Sequence, residues 1–171
     1  MRFATPLRAA VAPTIAATMS IRRFFAASGA ALLLSAATAP ADAQWVPSGP
    51  LADVLVVRDC TQTGGDVAVS RLDPPTVYLC PTVVQLVRRS DPGAEHFYFV
   101  HEFGHIALAT ADEAAADCWA AQALAHAPHG ERYLRVAIEH FRRRPDVPSA
   151  RYGTPRQRAE RIRRCADDAR R

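Results

Sequence analysis

His101, Glu102 and His105 are the residues whose types and spacing point most directly to chemistry. They stand in the run Glu95-His96-Phe97-Tyr98-Phe99-Val100-His101-Glu102-Phe103-Gly104-His105-Ile106-Ala107-Leu108. Read as an α-helix, this run places the two histidines one turn apart on one face, where two imidazoles can grip one Zn2+. Glu102, beside them, can take a proton from water activated by that ion. Phe97, Val100, Phe103, Ile106 and Ala107 are apolar at steps of three and four, so the helix belongs in a core. His96 falls off the face of the pair and reads as a surface or packing residue.

Two histidines leave zinc under-coordinated; a catalytic site needs a third protein ligand and one open position. Glu113 is the first candidate. Thr110-Ala111-Asp112 is a short link in which Thr110 or Asp112 can cap the next helix. An antiparallel return would bring Glu113 beside the motif face. Asp117, one turn further, can hold the free Nδ1–H of a zinc-bound histidine and fix its tautomer. Asp117 and Asp112 are the weaker alternatives for the ligand itself. An oxyanion would need a further donor; Tyr133, His129, His140, Tyr152 and Arg156 qualify by type, and sequence does not place them.

The elements that must position these groups can be read in outline. Leu51–Arg58, Val67–Arg71 and Thr76–Cys80 are short and rich in β-branched residues, and read as strands. Gly64-Gly65 marks a turn between the first two, and Pro74-Pro75 breaks the chain before the third. Helices are expected over about 82–89, 92–109, 113–126, 131–143 and 155–169, with Asp91 capping the motif helix and Thr154 the last. The helix from Glu113 is rich in alanine, which lets it approach the motif helix closely. The fold class expected is α+β, a small antiparallel or mixed sheet packed on a helical core.

The chain has 171 residues, enough for one domain, expected over 44–171. Residues 1–43 have the anatomy of a secretory signal region. A charged start at Met19-Ser20-Ile21-Arg22-Arg23 precedes the apolar run Ala26–Ala37, and Ala41-Asp42-Ala43 supplies small residues for cleavage after Ala43. Met19 is the expected true start. The apolar run is too short for a stable membrane span. The formal net charge of +4 owes most to this region, where Arg2, Arg8, Arg22 and Arg23 face Asp42 alone; from Gln44 onward the chain is close to neutral. No motif points to nucleic acid. The Arg-rich last third reads as a solvated helix face. Cys60, Cys80, Cys118 and Cys165 are even in number, and in an oxidising compartment they read as two disulfides. Cys60 and Cys80 end strand-like runs joined by a Gly-rich turn, which makes them neighbours and leaves Cys118 for Cys165.

His101-Glu102-Phe103-Gly104-His105 followed by Glu113-Ala114-Ala115-Ala116-Asp117 resembles the zincin metallopeptidases in their gluzincin branch, small bacterial members included. The likeness covers roughly residues 76–126. It implies a zincin-like core, His101, His105 and Glu113 as zinc ligands, Glu102 as general base, and a strand at Thr76–Leu79 near the cleft. Leu108 and Ala111 stand where a metzincin would carry its glycine and third histidine. The function expected is a secreted or periplasmic zinc metallopeptidase acting on a peptide or protein substrate. The alternatives are a zinc-binding interaction module without turnover, and a disulfide-braced domain without metal. Substrate specificity and oligomeric state are not legible.

Overall fold

A computed structural model describes residues 45–171. The signal region, the start at Met19 and the cleavage after Ala43 lie outside the described residues. Within them the protein is α+β, with a three-stranded mixed sheet and five α-helices.

The strands are β1 (Leu55–Arg58), β2 (Ala68–Leu72) and β3 (Pro75–Leu79), in the order β1-β3-β2. β1 runs parallel to β3, with Val56 opposite Val77, and β2 antiparallel to it, with Val69 opposite Tyr78. β1 starts later than its composition suggests, because Gly49–Leu51 forms a 3-10 turn with Pro50 inside it. Pro75 opens β3 rather than ending the sheet, since a strand's first position tolerates a missing N–H.

The helices are α1 (Pro81–Ser90), α2 (Ala94–Leu108), α3 (Glu113–Ala125), α4 (Gly130–Arg143) and α5 (Pro155–Ala169). α2 is the hub: it packs on α3, α4 and β2. Its Phe97 and Val100 meet Ala120, Leu124, Leu134 and Ile162 in the main core. Phe97 is wholly buried, so its truncation to alanine would cost about 3–5 kcal/mol. Trp45 sits edge-on to Phe99, Phe103 and Trp119, so the opening segment is anchored where its proline and glycine content suggests a loose one.

Two further local outcomes differ from the sequence reading. Asp91 does not cap α2; Gly93 does, at φ 106°, a conformation glycine adopts freely. The Asp91 carboxylate instead accepts from His140 Nδ1 at 2.6 Å and pairs with Arg143. The Arg-rich last helix is not solvated throughout: Arg158 is buried, whereas Arg163, Arg164 and Arg170 are exposed.

Both expected disulfides are present, Cys60–Cys80 beside the sheet and Cys118–Cys165 between α3 and α5. Among the described residues no helix is long and apolar enough to cross a membrane.

Candidate metal centre

α2 carries His101 and His105 on its face toward α3, and the turn after it delivers Glu113. Ala109 closes α2 in the left-handed region, at φ 47°, and Thr110 N–H bonds back to the His105 carbonyl. The chain reverses at once. Asp112 then caps α3 by accepting from the Ala114 and Ala115 N–H groups, so Glu113 is the first residue of that helix. The two helices lie close because residue 104 is glycine: a Cβ there would stand 2.9 Å from the Ala116 carbonyl oxygen.

His101, His105 and Glu113 are buried together. His101 Nε2 lies 2.9 Å from Glu113 Oε2 and 3.1 Å from His105 Nε2, and His105 Nε2 lies 3.4 Å from the same oxygen. The far side of each ring fixes its tautomer. His105 Nδ1 donates to the Thr110 carbonyl at 2.9 Å. His101 Nδ1 faces Asp117 Oδ1 at 2.9 Å, off the line of a well-formed hydrogen bond but within reach of the carboxylate. With both Nδ1 atoms carrying the proton, both Nε2 atoms present lone pairs, and the Glu113 carboxylate adds a third acceptor. Three buried acceptors that meet in this way can be satisfied by one shared cation or, without it, by protons on the imidazoles. Donors at 2.0–2.1 Å from a tetrahedral zinc stand about 3.3 Å apart, and the three separations bracket that value. The donor set therefore fits a metal ion.

The same contacts set the electrostatics of the three groups when protons take the cation's place. Burial works to raise the Glu113 carboxyl, but hydrogen bonds with His101 and His105 outweigh it and hold the group well below the usual carboxylate range. Burial pushes His105 down, and Glu113 and the Thr110 carbonyl more than reverse this, raising it above its ordinary value. The outer oxygen of Glu113, Oε1, meets Arg151 Nε. Asp117 accepts from Arg158 Nη2 at 2.8 Å and Arg161 Nη2 at 2.9 Å. Burial would raise Asp117, yet His101 and Arg158 hold it down at about 2.

Glu102 is 7% exposed and lines a cleft of about 120 Å3 together with His105, Tyr152, Arg151 and the strand residues Val69 and Ser70. Of the five side chains that qualify by type as oxyanion donors, Tyr152 alone lines the cleft with Glu102. Tyr133 packs on His96, with ring centroids 4.1 Å apart; His140 is engaged by Asp91 and Tyr98. His129 starts α4, and Arg156 lines a separate depression with Asp146 and Glu160. Burial, followed by the charge of Glu113, pushes the Tyr152 phenol well above its ordinary value, so it stays protonated. Arg161 Nη2 holds the Tyr152 carbonyl at 3.1 Å.

Sequence reasoning missed Arg151, Arg158 and Arg161. For Arg158 a signal existed: it adjoins Ala159 and leads the stripe Arg158, Ile162, Ala166, the inward face of α5. Comparison with protein-family models, curated proteins and solved structures gave no match.

Proposed function

We propose that the protein is a zinc-dependent peptidase, gluzincin-like in its site, working in an oxidising compartment outside the cytoplasm. The observation that carries this is the convergence of three buried acceptors, His101 Nε2, His105 Nε2 and Glu113 Oε2, beside Glu102 on the wall of a cleft. Two imidazoles and one carboxylate suit zinc and leave a fourth position for water or substrate. Bound there, zinc supplies Lewis-acid polarisation of a carbonyl and brings the pKa of water to near neutrality.

The chain's own groups do the rest. Asp117 and the Thr110 carbonyl fix the histidine tautomers. Glu102 accepts the proton of the attacking water and passes it to the leaving amine. The Tyr152 phenol, protonated at neutral pH, donates to the substrate oxygen as negative charge builds on it. Among the described residues β2 is an edge strand, and its Val69 and Ser70 line the cleft, so its outer backbone edge suits an extended peptide. The two disulfides support the extracytoplasmic reading.

The test is Glu102→Gln. The variant is expected to keep about one zinc per chain and to lose peptide cleavage by a factor of about a hundred or more. Cleavage at the wild-type rate would refute the role of Glu102. Stoichiometric zinc in a wild-type protein that cleaves nothing in a broad peptide library would leave a binding module instead.

A further inference from the structure

A second, larger cleft of about 540 Å3 adjoins the metal centre and shares Asp66, Ala68, Glu102 and Tyr152 with the smaller one. Its walls are apolar: Val67, Val83, Val87, Phe141, Pro145 and Val147. Its charges are sorted. The acids that line it, Asp66 and Glu102, lie at the junction with the metal-centre cleft; beyond them the charged residues that line it are Arg144 and Arg158.

Arg158 is built into this wall. Its guanidinium lies between the rings of Phe141 and Tyr152, with Cζ 4.4 Å from each centroid. Its Nε and Nη2 edge is committed to Asp117. Both faces and one edge are thus used, and among the described residues Nη1 has no hydrogen-bond acceptor. Arg144 is held beside it by a chain of bonds. Asp91 Oδ2 accepts from His140 Nδ1 at 2.6 Å, so His140 Nε2 accepts from the Tyr98 hydroxyl at 3.0 Å. The Tyr98 oxygen in turn accepts from Arg144 Nη1 at 3.4 Å. Arg144 has no carboxylate partner among the described residues, and the single carboxylate of Asp117 already faces two guanidiniums, those of Arg158 and Arg161. This end of the cleft carries excess positive charge behind apolar walls.

We infer that this cleft binds a substrate carboxylate at the end of an apolar stem, held between Arg144 and Nη1 of Arg158. The inference rests on the reading of the metal centre as a peptide-hydrolysing site, and it names the substrate class: peptides with an acidic group close to the scissile bond. That carboxylate comes either from a glutamate side chain or from the C-terminus of the peptide. Guanidinium suits it because the planar fork matches a carboxylate and is cheaply desolvated.

Binding, rather than turnover, is the test. Zinc-loaded Glu102→Gln protein is titrated with short acetylated, amidated peptides that differ at one position, Glu, Gln or Leu, and with the Leu peptide bearing a free C-terminal carboxylate. The Glu peptide is expected to bind about tenfold or more tighter than the Gln peptide, or the free carboxylate to gain that factor over the amide; which arm responds identifies the source. Adding Arg144→Gln is expected to remove most of the preference. Equal binding of all four peptides, no binding of any, or a preference undiminished by Arg144→Gln overturns the inference. Wild-type protein that binds the acidic peptide selectively and cleaves none of them contradicts the peptidase reading alone.

Discussion

Asp117 joins the candidate metal centre to the core. One oxygen faces His101 Nδ1, and both oxygens are held by Arg158 and Arg161 from α5. The carboxylate is wholly buried, and Arg158 nearly so. Asp117→Asn would strand two guanidiniums without their counter-charge and is expected to cost about 3–5 kcal/mol, read by chemical denaturation of metal-free protein. The pH dependence has a definite sign. The folded-state pKa of Asp117 is depressed to about 2, against about 3.9 in an unfolded chain. Its contribution is therefore present above about pH 4 and is lost as pH falls from about 4 to about 2. The wild type should lose stability through that window, and Asp117→Asn should lack this part of the loss; identical acid limbs would refute the assignment. The place of this residue beside His101 was legible, because one helical turn separates it from Glu113. Its arginine partners were not, since they lie 41 and 44 positions away in sequence.

The pair α2–α3 sets the geometry of the candidate metal centre. The spacing of His101 and His105 follows from the helical period alone, and the short link to Asp112 constrains Glu113 to return beside them. The place of Gly104 follows from packing instead. A Cβ at that position would press on the backbone of Ala116 and come within 3.3 Å of the Trp119 ring, pushing apart the two helices that carry the candidate ligands. Gly104→Ala is expected to cost about 1–3 kcal/mol in spite of alanine's better helix propensity. It should also weaken zinc binding about tenfold, because Glu113 moves with α3. A variant with unchanged zinc affinity and stability would show that the helices have room to spare. The N-terminus of α2 was misread for a related reason. Asp91 has the right type and place to cap it, but the tertiary partners His140 and Arg143 take its oxygens.

At the scale of the whole molecule, a small core is closed by two covalent ties. Cys118–Cys165 spans 47 positions and clamps α5, with its arginines, onto the helix that bears Glu113. Loop-closure entropy gives this bond about 4 kcal/mol, and Cys60–Cys80 about 3 kcal/mol over 20 positions. Replacing Cys118 and Cys165 by alanine should lower the unfolding free energy by about the first of these figures and loosen zinc binding, whereas the Cys60 and Cys80 pair should affect stability alone. Equal effects on zinc would contradict the clamp. The pairing was legible from the even count and the strand-like runs around Cys60 and Cys80. The segment 144–154, which brings Arg151 and Tyr152 to the metal centre, was not, because nothing in its Pro- and Arg-rich composition says which face of the helices it crosses.

Zinc titration of metal-free wild type and Glu113→Gln by calorimetry tests most directly whether His101, His105 and Glu113 share one cation. The wild type should bind about one zinc per chain, and Glu113→Gln should bind it at least about a hundredfold more weakly while staying folded. No zinc binding by the wild type, or equal affinity in the two proteins, would contradict it.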